Sequence, residues 1–264
     1  MSSFSRLLST ISKKVVKPFS PTPSTQKTHK LSLLDQCMGN FYMPLVLFYP
    51  KHQLEQGPKQ LSKLLENSFS KALTYHQPWD GSLRDNTTTH CDDTGAELFE
   101  VEVNCPINQV VHHPDLTFPS GLSWKNVPHA NDGGRLSIAQ LSHFDCGGMA
   151  ISVCMSHTVG VARSAFSFLK DWDTLTREHP NGELSSPSYY VQDSLMPSLP
   201  DGPLKFPVVV EPNTKESVEF EKRFFFLSKS NIRALKAMIV DDPSSIVQNP
   251  TTTEVVSAIV YKCV

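Results

Sequence analysis

This 264-residue chain lacks any apolar run near the ~18 residues that a membrane-spanning helix requires. The longest, Leu45-Val-Leu-Phe-Tyr49 and Met149-Ala-Ile-Ser-Val-Cys-Met155, fall far short, and no membrane partner is expected. An excess of either charge is also missing. With 24 Lys and Arg against 26 Asp and Glu the formal net charge is -2, which offers nucleic acid no basic surface. The six cysteines, Cys37, Cys91, Cys105, Cys146, Cys154 and Cys263, include no Cys-x-x-Cys pair, and there is no His-Glu-x-x-His spacing, so no metal site is expected. Reduced thiols in a cytoplasmic protein are the simplest account. Acidic residues are absent from the first 30 positions, which hold six Lys or Arg among many Ser. That composition suits an organellar transit peptide. The competing reading makes Ile11-Ser-Lys-Lys-Val-Val-Lys-Pro18 an edge strand closed by proline, with Ser20-Pro-Thr-Pro-Ser-Thr25 as an extended connector.

What is present is a globular composition, since 39% apolar residues is enough to bury a core. Leu61, Leu64, Leu65, Phe69, Ala72 and Leu73 fall at helical spacing and predict a helix over Gln60–Tyr75. Asp80-Gly81 and Asp92-Asp-Thr-Gly95 are turn signals around a polar stretch, and Glu97-Leu-Phe-Glu-Val-Glu-Val103 alternates as a half-buried strand does, which together suggest a hairpin. Residues 136–156 read as two strands joined at Asp145-Cys-Gly-Gly148. From Val161 the period changes, and Ala162, Phe166, Leu169, Trp172 and Leu175 predict a helix to about Arg177. Seven of the twenty prolines then collect between His179 and Ser217, which reads as a linker or crossover. Val218–Leu227 reads as a strand and Ser228–Ile239 as a helix with Ile232, Leu235 and Ile239 on one face. Thr251-Thr-Thr-Glu254 is a capping box that starts a helix at Thr252, with Val256, Ile259, Val260 and Cys263 as its expected buried stripe.

His157 is the candidate catalytic residue. It sits where a strand gives way to a helix, so backbone on both sides holds the imidazole, and a general base must be held within hydrogen-bond reach of the proton it takes. The other histidines read blandly: His29, His52, His76, His90, His112, His113, His129 and His179 lie in polar loops and helix ends, His143 at a hairpin tip, and none has a nameable partner. A hydrolase using Ser156 or Cys154 beside His157 is disfavoured. Adjacent strand residues point to opposite faces, no Gly-x-Ser-x-Gly elbow exists, and no acid is placed to orient the histidine.

Pieces spread along nearly the whole chain resemble, in family order, the acyl-CoA-dependent plant acyltransferases called the BAHD family. They are Val15-Val-Lys-Pro-Phe-Ser-Pro-Thr-Pro23, Leu31-Ser-Leu-Leu-Asp35, Pro78-Trp-Asp-Gly-Ser-Leu-Arg84 where members show a Pro-Leu-Ala-Gly-Arg-like run, and Cys91-Asp-Asp-Thr-Gly-Ala96. Phe144-Asp-Cys-Gly-Gly148, Ser156-His-Thr-Val-Gly160, Lys222-Arg-Phe-Phe-Phe226 and Pro250-Thr-Thr-Thr-Glu-Val-Val-Ser-Ala-Ile-Val-Tyr-Lys-Cys263 follow. The likeness is greatest to members of the vinorine synthase type, which act on alkaloid or specialised-metabolite alcohols.

The resemblance implies an α/β fold, a chloramphenicol acetyltransferase-like mixed sheet with flanking helices, built as two similar domains with the histidine in a channel between them. Residues 1–180 would be a complete first domain, 181–216 a Pro-rich crossover, and 217–264 the first strand and helices of a largely missing second domain. His157 would take the proton of an acceptor hydroxyl or amine as it attacks an acyl-CoA thioester. Acyl-CoA would be a co-substrate, with no bound cofactor, and the family implies a monomer, while the exposed half-domain offers a route to self-association. The family motif is His-x-x-x-Asp, and its aspartate pairs with an arginine of the second domain; here the fifth position is Val161. The family's Asp-Phe-Gly-Trp-Gly motif is also absent. These two departures imply a truncated chain with little activity alone, and leave open a non-catalytic homologue that binds a metabolite or partner protein, or an incomplete gene model.

Overall fold

The apolar stripe of residues 60–75 closes on one side of an 18-residue helix with a proline in its first turn, where a missing N–H costs nothing. The computed structural model describes residues 8–38, 42–83, 85, 87–112, 135–160, 162–177, 184, 192–200 and 225–263. Its strands in chain order are β1 (Leu8–Val16), β2 (Thr28–Lys30), β3 (Tyr42–Tyr49), β4 (Ser82–Leu83), β5 (Thr88–His90), β6 (Ala96–Val103), β7 (Ser137–Phe144) and β8 (Met149–Ser156). The helices are α1 (Leu33–Cys37), α2 (Pro58–Tyr75), α3 (Ile107–His112), α4 (Ala162–Thr176), α5 (Gln192–Leu195), α6 (Lys229–Val240) and α7 (Thr252–Cys263). The chain forms two compact units, Met1–Pro207 and Val208–Val264.

In the first unit a five-stranded sheet runs in the order β1-β6-β7-β8-β3, and a small sheet in the order β2-β5-β4. Every pairing is antiparallel except β6 with β7, which makes the larger sheet mixed, as expected. Composition explains the edges. Pro44 cannot donate to a ladder and sits in β3, while Lys13 and Lys14 mark β1, and both strands are outermost. One face of the sheet presents Leu98, Ala139, Leu141, Met149, Val153 and Met155 to α2 and α4. Between those helices Phe69 meets Phe168 edge-on at 5.8 Å and lies 4.8 Å from Trp172. The indole N–H of Trp172 is shared between the Leu65 carbonyl (3.1 Å) and Ser68 Oγ (3.0 Å).

Several expectations change. β4 does pair antiparallel with β5, but the alternating strand β6 leaves them and lies between β1 and β7 in the larger sheet. Part of the Pro-rich connector is docked: Gln36 accepts from Leu199 N (2.9 Å) and donates to its carbonyl (3.0 Å), and Leu33 N donates to Met196 O (2.9 Å). The expected strand 218–227 lies outside the described residues up to 224, and Phe225–Leu227 are in no strand. In the second unit α6 is capped by Ser228, and α7 by the reciprocal bonds of Thr251 and Glu254 (2.6 and 3.2 Å). Of the stripe expected on α7, Val256 and Ile259 are half-buried while Val260 and Cys263 are exposed, and the fully covered residue is Val255.

Candidate active site

The β7–β8 hairpin brings His157 to the end of the sheet where β7 begins. Its tight turn depends on Gly147, which adopts φ +80°. At the far end Ser156 N donates to Leu136 O (2.8 Å), so the strand pairing continues to the last residue before the histidine. Residues 157–159 then turn, with Val159 N donating to Ser156 O (3.3 Å), and α4 starts at Ala162. Val159 is buried in the core and Thr158 is buried beside it, which leaves His157 as the partly exposed member of the turn. Its Nδ1 is buried and has no hydrogen-bond partner among the described residues. Val161 lies outside the described residues.

Neighbouring segments anchor this end of the sheet. Tyr42 Oη donates to Arg135 O (2.8 Å), the Arg135 guanidinium donates to Thr94 O (2.8 Å), and Ser137 Oγ donates to Trp79 O (2.7 Å). Trp79 and Asp80 are both fully buried. Neither carboxylate oxygen of Asp80 has a partner among the described residues. Burial first, then the nearby carboxylates of Asp93 and Asp92, push the Asp80 carboxyl up to about 8.

Two histidines that read as bland have partners. His76, which follows the last turn of α2, is paired through Nε2 with Asp171 of α4 at 2.9 Å, and both side chains are buried. Burial drives the His76 imidazole below its ordinary range, against the opposing hydrogen bond and charge of Asp171. His143, in β7 rather than at a tip, lies 3.0 Å from both Glu100 Oε1 and Ser62 Oγ. Burial raises the Glu100 carboxyl, but the bonds from Ser62 and His143 outweigh it and hold the group below its usual range. This trio is not a catalytic relay. Ser62 already donates to Glu100 at 2.6 Å, and the same imidazole nitrogen faces serine and acid, whereas a relay needs one nitrogen for each. The Cys154 thiol, pushed up to about 12 by burial, is no nucleophile.

One sequence signal pointed towards the buried pair: Asp171 stands between Phe168 and Trp172 on the apolar side of α4, where a charge requires a partner. Its identity, 95 residues earlier, leaves no local trace. A cavity of about 490 Å³ lies between α2, α4 and the β3 edge, floored by Leu47, Met149 and Ile151 and rimmed by Asp173 and Arg177. It is at the opposite end of β8 from His157, about 20 Å away at the rise of a strand. Among the described residues no three His, Cys, Asp or Glu converge as metal ligands, and no helix is long and apolar enough to cross a membrane.

Residues 7–264 match the model of the Transferase family. Acyltransferase Pun1 of Capsicum frutescens is 39% identical over 98% of this chain and 60% of its own length. The 17,18-epoxy-17-hydroxycur-19-ene N-malonyltransferase of Strychnos nux-vomica is 36% identical over 96% of this chain and 53% of its own. The crystal structure of vinorine synthase superposes with a TM-score of 0.72 at 25% identity, covering 97% of this chain and 59% of that one. Fusarium graminearum TRI101, in complex with coenzyme A and T-2 mycotoxin, shares the fold at a TM-score of 0.61 and 13% identity, over 89% of this chain and 59% of that one. The chain thus spans between half and three-fifths of the length of these relatives.

Proposed function

Because the chain belongs to the BAHD acyltransferases of the Transferase family, we propose that it carries the base-bearing half of an enzyme that moves an acyl group from acyl-CoA to a hydroxyl or amine of a plant specialised metabolite. His157 is the general base. The observation that carries this reading is the turn itself: a partly exposed imidazole between two anchored elements, with its Nδ1 free of any described protein partner.

The reaction balances on that one group. The imidazole takes the acceptor's proton as the oxygen or nitrogen attacks the thioester carbonyl, the C–S bond breaks, and the imidazolium returns the proton to the leaving thiolate. The products are the ester or amide and free CoA thiol. No side chain among the described residues bonds to Nδ1 to set the tautomer, and Val161 stands where the motif aspartate would be, so orientation falls to the turn's packing. Turnover by this chain alone is expected to be low.

The test is thiol release from acyl-CoA in the presence of a hydroxylated acceptor, comparing the chain with its His157→Ala variant. Loss of general-base catalysis lowers the rate by about 10²–10⁴-fold; equal rates would remove His157 from the mechanism. A second, non-catalytic reading is favoured by the second unit, where Phe225, Phe226, Ile246 and Tyr261 are each at least 85% exposed. Such apolar exposure suits a binding role. Size-exclusion chromatography separates the readings, since association without acyl transfer supports the second.

A further inference from the structure

Resting on the assignment of His157 as base, we infer that Trp79 is its positioning residue: the buried indole fills the space that any side chain at Gly160 would need, and so sets how the 157–160 turn leaves β8. A Cβ added at Gly160 would lie 2.5 Å from Cζ2 and 2.9 Å from Cη2 of Trp79, and 3.1 Å from Cβ of Ser164 in the first turn of α4. The turn is wedged between the far edge of a rigid bicyclic ring and the start of the following helix. Only a glycine fits.

The ring cannot yield. Trp79 has no exposed surface. Its amide donates to His76 O (3.0 Å) and its carbonyl accepts from Ser137 Oγ (2.7 Å) in the first residue of β7. The next residue, Asp80, accepts at its carbonyl from Gly95 N (2.9 Å) and Thr94 Oγ1 (3.0 Å). Backbone on both sides of the indole is thereby tied to the large sheet and to the turn before β6. His76, three residues upstream, is locked by Asp171 to α4, the helix that continues from the histidine turn. One segment, residues 76–80, therefore holds both ends of the catalytic connection: α4 through the buried His76–Asp171 hydrogen bond and the turn through an indole.

The indole N–H is itself buried without a partner among the described residues. A dry donor is unfavourable, and a phenyl ring would not carry it. What phenylalanine lacks is reach, since the atoms against Gly160 belong to the six-membered ring at the far end of the indole. The contact at Gly160 is what the larger ring supplies.

The experiment uses the full chain and three variants, Trp79→Phe, Gly160→Ala and the double substitution, with the imidazole NMR signals of His157 assigned through their loss in His157→Gln. Each single change is expected to move the His157 ring shifts and titration midpoint while circular dichroism stays native. The double variant, in which the new methyl occupies the space vacated by the indole, is expected to restore both. Where turnover is measurable, kcat falls in the singles, since a 1 Å misplacement costs up to about 10²-fold, and recovers in the double, with KM for acyl-CoA unchanged. Unmoved His157 signals in a folded Trp79→Phe chain, or failure of the double to restore them, overturns the inference. Should Gly160→Ala alone fail to fold, Trp79→Phe and the double still decide it. Shifts that respond as expected in a chain whose His157→Ala variant keeps full activity would leave the positioning intact and reject the base.

Discussion

Replacing Asp80 by Ala, the residue that the BAHD-like run carries at this place, is expected to stabilise the protein at neutral pH and to do so less as the pH falls. The carboxyl is fully buried, its two oxygens lack partners among the described residues, and its pKa is raised from 3.8 to about 8. In the unfolded chain it ionises near its ordinary value. Between about pH 4 and 8 the folded protein therefore holds a proton that the unfolded chain has released, and stability falls with rising pH by up to about 1.4 kcal/mol per unit from this group. At pH 7 that amounts to at most about 4 kcal/mol. Truncation to Ala removes this penalty and leaves a small void worth on the order of 1 kcal/mol, so the net gain is about 2–3 kcal/mol at pH 7. It shrinks below about 1 kcal/mol at pH 5. Urea unfolding of both proteins at pH 5, 6, 7 and 8, followed by tryptophan fluorescence, reads this directly. A difference independent of pH, or a variant less stable than the parent at pH 8, would refute the account of Asp80 as an acid kept neutral by burial.

The His76–Asp171 pair predicts a loss of stability in acid. Because the folded pKa of His76 is depressed, its contribution is present above the unfolded value near 6.5 and is lost as pH falls from there towards the folded pKa. His76→Ala removes the imidazole's buried hydrogen bond to the Asp171 carboxylate and is expected to cost about 1.5–3 kcal/mol in the same unfolding assay. Thiol reagents should label Cys37, Cys146 and Cys263 of the folded chain quickly, and Cys91, Cys105 and Cys154 only after denaturation, as peptide mapping by mass spectrometry would show. Fast labelling of Cys154, whose thiol burial pushes up to about 12, would contradict its burial under the sheet.

Periodicity made α2, α4 and the β7–β8 hairpin legible, because each is a local element whose apolar stripe or paired glycines lie within one window of sequence. The placement of β6 was not. Its parallel neighbour β7 begins more than 30 residues later, and nothing in Ala96–Val103 distinguishes a strand that closes a hairpin from one that leaves it. The same limit hid the partners of His76 and His143, which come from other elements. At the site, the strand-to-helix setting of His157 could be read from the change of period. The role of Trp79 could not, since only the folded proximity of residues 79 and 160 turns a glycine into a requirement.

The strand order carries a consequence for how the chain is made. β8 is the partner of both β7 and β3, and β6 lies between β1 and β7, so the first and third strands to be synthesised each wait for a mate encoded some 80 to 110 residues downstream. A ribosome must release residues up to Val103 before β1 has its mate, and up to Ser156 before β3 has its own. During that interval the nascent polypeptide exposes sticky, unpaired ribbons, and a halt in translation before the histidine turn would leave a product prone to clump rather than to fold.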